Sequence, residues 1–159
     1  MGNKQFKKLK GFTLVELITV VAIISMIAIY ITIEINRSSD DAKIGIATAY
    51  LTSSVPAAIS SYRARHLGNC NDIAGSSTGT DALPALEDRG MSDTSPWGGA
   101  VTATWNAANR QITISFPIPG ANATTVATDL LANLALSDGQ FAATPTFTSG
   151  SLSAIYDCA

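Results

Sequence analysis

Ionisable side chains are scarce in this sequence. Asp, Glu, Lys and Arg make up 14% of its 159 residues, against roughly 25% in ordinary soluble domains. The single histidine, His66, and the two cysteines, Cys70 and Cys158, fall short of the roughly four ligands of a zinc site. No glycine-rich loop leads into a phosphate-binding lysine, so the chain has no means of powering a process itself. His66 ends a helical pattern, where a cation suits the dipole, and no nucleophile or carboxylate partner is identifiable for it. Asp72, Asp81, Glu87, Asp88 and Asp93 follow no calcium-loop spacing and read as loop solubility. No catalytic, metal or cofactor site is expected.

The deepest shortage of charge is local. Residues 12–33 hold one side chain charged at neutral pH, Glu16, in 22 positions. A helix of that length measures ~33 Å, roughly the hydrocarbon thickness of a bilayer. Ahead of it stand Lys4, Lys7, Lys8 and Lys10 with no acid among them, which marks the cytoplasmic side and places the later chain outside. Glu16 is the anomaly. A carboxylate at the bilayer centre costs on the order of 2.5–3.5 kcal/mol, less near the edge, so it needs a partner or a shallow, wet position. A cut between Gly11 and Phe12 would create an α-amino cation four residues before it. That cation could answer Glu16 within one helix or across to a neighbouring subunit.

Gly11, Phe12, Thr13, Leu14, Val15 and Glu16, with the basic leader before them and the apolar run after, resemble the type IV pilins and the type II secretion pseudopilins. The resemblance covers about residues 4–33. It implies a dedicated membrane peptidase that cuts after Gly11 and N-methylates Phe12. It also implies that Glu16 pairs with a neighbour's N-terminal amine during filament assembly. An ordinary secretory signal would end in a small-x-small site, but this run leads into Glu34, Ile35, Asn36 and Arg37. A plain anchor would have no use for Glu16 or Gly11. Where many members carry proline, this chain has Ile33, which sets aside local melting of the helix at that point.

Without residues 1–11, which carry four lysines and no acid, six basic face twelve acidic side chains and net charge falls from −2 to −6. Such a product offers no electrostatic reason to bind nucleic acid. Both cysteines lie beyond the membrane segment, where oxidising conditions would let them pair.

Ile35, Ile44, Ala47, Leu51, Val55, Ala58 and Ile59 recur at three- and four-residue steps, so the helix is expected to continue to about Arg65. Pro56 predicts a bend near residues 51–55 rather than an end, because the stripe resumes at Ala57. No soluble domain of this size could bury so long a helix, so its first half belongs in lipid or among other copies of the chain.

Residues 67–99 turn polar and rich in Gly and Ser. The stretch from Asn71 to Asp81, containing Gly75 to Gly79, reads as a surface loop, and residues 82–86 as one short helical turn. Pro96, Trp97, Gly98 and Gly99 lead into a strand, with Trp97 expected as a buried anchor. This Trp-Gly-Gly resembles type IVb pilins, including thin pili of conjugative plasmids; pseudopilins carry a related Pro-Trp-Gly. Val101, Ala103 and Trp105, then Ile112, Ile114 and Phe116, alternate with polar residues across a short link, which predicts an antiparallel hairpin. Asn122 is expected to cap a helix running to about Leu136; the sequon Asn122-Ala123-Thr124 is given that structural role. Ser137, Asp138 and Gly139 read as a turn. Leu152, Ala154, Tyr156 and Cys158 then share one face of a final strand, and the resemblance implies a Cys70–Cys158 disulfide bounding a receptor-facing region.

The fold class expected is α+β, the type IV pilin fold: a long N-terminal helix on a C-terminal antiparallel sheet. Its parts are a removed cytoplasmic leader (1–11), a transmembrane and polymerisation helix (12–33), a periplasmic half-helix (34–66) and a head (67–159). The function the resemblance implies is that of a structural pilus subunit, more of the b-type than the a-type, and not an enzyme. Its implied partners are other copies of itself, the prepilin peptidase and methylase, and the inner-membrane assembly machinery. It would pass from an inner-membrane single-pass precursor to an extracellular pilus. The alternatives are a type II secretion pseudopilin and a membrane-anchored periplasmic protein that never polymerises.

Overall fold

The computed structural model describes residues 12–75, 80–137 and 139–158. The leader with Gly11, the middle of the Gly/Ser loop (76–79) and Asp138 of the expected turn lie outside the described residues. The chain divides into two compact units, Met1–Ser39 and Asp40–Ala159. Helix α1, Leu14–Ala49, passes from one into the other.

Among the described residues of the first unit, α1 is the only element. Its large apolar side chains, from Phe12 to Ile35, are all exposed. Three of its hydroxyls bond its own backbone: Thr19 donates to the Glu16 carbonyl, Ser25 to Val21 and Thr32 to Ala28, at 2.8–2.9 Å. A helix that meets its polar needs internally is the form a backbone must take in lipid.

In the second unit the helical path continues through a π-helical turn, Tyr50–Ser54, into α2, Val55–Arg65. The bend expected from Pro56 is therefore a shift of hydrogen-bond register. The Val55 N–H donates to the Tyr50 carbonyl, five residues back. The next bond in that register would run from residue 56 to Leu51, and proline has no N–H. The orphaned Leu51 carbonyl instead accepts the Tyr156 hydroxyl at 2.7 Å, 105 residues away. A buried acceptor left unpaired costs about 1–3 kcal/mol, so the last strand stabilises the break that Pro56 imposes on the helix.

Four strands form one antiparallel sheet in the order β1-β2-β4-β3: β1 Thr102–Asn106, β2 Gln111–Pro117, β3 Ala143–Thr148 and β4 Ser151–Asp157. The expected hairpin is β1–β2, with Ala103 opposite Ile114 and Trp105 opposite Ile112. On β4, Tyr156 faces Ile112, Ala154 faces Ile114 and Leu152 faces Phe116. All of these are buried, because alternation sends one side of every strand to the same face. That face joins Ile44, Ala47, Leu51, Val55, Ala58, Ile59 and Tyr62 of the helix in one core. Tyr50 meets Phe116 edge-on there, at 6.5 Å.

Strand β3 is not expected from the sequence pattern. Pro145 sits inside it and a register shift separates Ala143 from Thr146, as suits an edge strand. Ser149 (φ 54°) and Gly150 (φ 80°) close the β3–β4 hairpin, the left-handed pair that a two-residue turn requires. Helix α4, Ala123–Ala135, crosses from β2 to β3 and buries Val126, Ala127, Leu130 and Leu134.

The capping role expected of Asn122 is not formed. Its side chain makes no cap bond, and at φ −96°, ψ 9° it lacks the extended backbone that aims a capping side chain. The Ala123 N–H goes to the Gly120 carbonyl, and the Asn122 carbonyl receives Val126.

Cys70 and Cys158, 88 positions apart in the chain, are bonded, with Cα atoms 5.8 Å apart, and both are buried. Trp97 is half-buried and stacks on Phe116 at 6.2 Å, an anchor as expected though not a fully enclosed one. Beside it only glycine fits at position 99, where a Cβ would stand 2.5 Å from Pro117 Cγ. Residues 82–86 overlap α3, Leu83–Glu87. At the end of α2, Gly68 N–H returns to the Arg63 carbonyl at 2.9 Å, and Leu67 takes φ 54°. Glycine is the usual occupant of that position; an L side chain there costs roughly 1–2 kcal/mol.

Candidate functional site

The candidate site is the start of α1. Thr13 precedes Leu14, the first helical residue, and an unpaired N–H is costly at a helix start. Glu16 answers it. The Thr13 N–H donates to Glu16 Oε2 at 2.8 Å and the Thr13 hydroxyl to the same oxygen at 2.9 Å. The Glu16 N–H in turn reaches Thr13 Oγ1 at 3.3 Å. This reciprocal arrangement is a capping box. Threonine followed three residues later by glutamate, just before an apolar run, is its sequence signature. Reading Glu16 only as a buried-charge problem overlooks it.

The consequence is chemical. Both bonds use Oε2, so Glu16 Oε1 makes no hydrogen bond among the described residues. It is the oxygen available to a cation. Phe12, whose amine would be the nearest one after cleavage, is 86% exposed. Gly11, on the other side of the expected cut, lies outside the described residues. With residues 12–35 exposed around it, the site has an apolar surface and one carboxylate oriented by its own helix.

The remaining candidates are scattered through the second unit. His66 caps the end of α2, its ring stacked on Tyr62 at 3.9 Å and its Nδ1 2.9 Å from the Tyr62 carbonyl. Asp81 accepts the Leu83 N–H and Asp93 the Thr94 hydroxyl, and among the described residues no group of three His, Cys, Asp or Glu gathers to hold a metal. Burial, then the carboxylates of Asp93 and Glu87, push the Tyr50 hydroxyl up to about 12. Burial holds that of Tyr156 well above the usual phenol range.

The helix containing these N-terminal residues is long and apolar enough to cross a membrane, and it fits membrane insertion. A family profile, the prokaryotic N-terminal methylation motif, matches residues 6–32. No curated protein and no solved structure matches the chain. The long helix packed with a four-stranded antiparallel sheet matches the pilin fold. Residues 6–32 thus form the prepilin-type signal of type IV pilins and pseudopilins.

Proposed function

We propose that this chain is the precursor of a structural subunit of a type IV pilus. The peptidase cuts between Gly11 and Phe12 and methylates the Phe12 amine. The bilayer then holds residues 12–33 until assembly, when the helices of many copies bury one another's apolar surface. The observation that carries this reading is the run of exposed apolar side chains from Phe12 to Ile35, interrupted by a carboxylate with one oxygen engaged and the other without a hydrogen bond among the described residues.

Each part has a physical task. The hydrophobic effect, roughly 25 cal/mol per Å², drives little in lipid, so close helix packing supplies cohesion in the fibre. Glu16 supplies register. Its Oε1 accepts the Phe12 amine of a neighbour, and in a poorly solvated core an unmatched carboxylate is costly. Thr13 keeps the carboxylate oriented before the neighbour arrives. The disulfide, which encloses most of the head, favours a pilus subunit over a major pseudopilin.

The test replaces Glu16 with valine in the full chain and follows three readouts: leader loss, membrane retention and fibres sheared from the cell surface. The expected result is normal cleavage and retention with no fibres. Normal fibres would overturn the assembly role. Wild-type chain that is processed but stays in the envelope would make it a pseudopilin instead.

A further inference from the structure

We propose that the surface around Leu67 docks onto a second copy of this chain, seating against the acidic surface of Glu87, Asp88 and Asp93. This rests on the reading of the chain as a filament subunit and assigns its head-to-head contact.

Leu67 is the most exposed large apolar side chain in the head, at 99%, and it holds a left-handed backbone at φ 54°. Its own chain provides neither burial for the side chain nor a reason to prefer leucine over the glycine that suits this position. An outlier of this kind points outward, to a function. Beside Leu67 runs a shallow groove lined by Ser60, Arg63, Ala64 and Gly68. A projecting apolar residue at the mouth of a groove is the shape of an interface anchor.

Charge identifies the occupant. Arg63 and Arg65 stand in the last turn of α2. The Arg63 Nε–H is fixed on the Gly68 carbonyl at 3.1 Å, which takes one of the five N–H donors of a guanidinium and leaves its fork for a carboxylate. The mature chain has only six basic side chains against twelve acidic ones, so copies repel unless their few cations are placed against acids. Glu87, Asp88 and Asp93 are exposed. Glu87 ends α3 and Asp88 and Asp93 follow it, whereas Arg63 and Arg65 belong to α2. The basic and acidic side chains therefore stand on different elements of one head. A head-to-tail contact between two such patches, where its rotation does not close, repeats from copy to copy, as a filament requires.

The experiment uses the full chain in its own assembling cells, with sheared-fibre yield and fibre survival at raised salt as readouts. The unfolding midpoint of the detergent-extracted chain serves as the folding control. Leu67→Gly relieves the left-handed backbone, so the midpoint should hold or rise while fibre yield falls about tenfold, a difference of 1.4 kcal/mol in an assembly constant. Arg63→Glu with Arg65→Glu, or Glu87→Lys with Asp88→Lys, should each lower the yield, and all four together should restore it. If the reversals disturb folding, Arg63→Gln with Arg65→Gln should still make fibres less sensitive to salt. Leu67→Gly fibres of wild-type yield, or no rescue in the fourfold variant, would overturn the contact. Wild-type chain that forms no sheared fibres would instead overturn the filament reading beneath it.

Discussion

Helix α1 obeys two rules along its length. Up to Ile35 its large apolar side chains are exposed; from Ile44 onward the helical path buries one stripe and leaves polar residues outside. The first stretch is apolar on every side, the signature of a helix surrounded by lipid or by other helices. The second is amphipathic, because a sheet of the same chain covers one face. The difference teaches where each stretch finds its stability. The head has a core of its own closed by a disulfide, whereas none of the described residues covers the N-terminal helix.

The sharpest way to break this contrast is to weaken the head and look for an effect on the helix. Opening the disulfide with Cys70→Ser and Cys158→Ser removes a link across 88 residues, and on loop-entropy grounds should cost the head ~4–5 kcal/mol. Denaturant unfolding of the full chain in detergent measures it, and the N-terminal helix should keep its circular dichroism throughout. Next comes a matched pair. Leu51→Ala, at a position with no exposure, should cost about 3–5 kcal/mol, whereas Ile24→Ala, more than half exposed, should leave head stability unchanged. An equal loss at both positions would mean that the two stretches are not governed separately.

Tyr156→Phe tests the junction between strand and helix. Losing its bond to the Leu51 carbonyl should cost about 1–3 kcal/mol and speed amide exchange at Val55. Alkali should act on the same region. The Tyr50 hydroxyl is raised from its ordinary 10 to about 12 by burial and by Asp93 and Glu87. A raised acid favours folding while protonated, so this contribution is full below pH 10 and is lost as pH climbs towards 12. Tyr50→Phe should flatten the fall in stability across that window. The smallest effect belongs to Thr13→Val. The Thr13 N–H bond to Glu16 remains while both bonds of the hydroxyl go, an N-cap change of about 1 kcal/mol. Cleavage should be normal and fibre yield modestly reduced.

Much of this was legible in residue order. The apolar run, the hairpin alternation of Val101 to Phe116 and the face shared by Leu152 through Cys158 each follow a single local period. What local patterns do not carry is competition between distant groups. Pro56 announces a disturbance, but its form depends on Tyr156, 105 residues from the orphaned Leu51 carbonyl that it accommodates. Strand β3 hides because Pro145 weighs against a strand, and only its pairing with β4 overrides that. Asn122 has the chemistry of a cap, yet the turn at Gly120 sets a backbone that cannot use it. At the candidate site the Thr13–Glu16 spacing was readable; that both donors choose Oε2 and leave Oε1 without a bond among the described residues was not.

The most direct test of the account is the intact mass of this protein in fibres sheared from cells. The account predicts the mass of residues 12–159 plus one methyl group, less two hydrogens for the Cys70–Cys158 bond. That single value would establish the cut, the modification and the disulfide together, and its presence in fibres would establish polymerisation. The mass of residues 1–159, found only in the envelope, would contradict it and leave a membrane-anchored monomer.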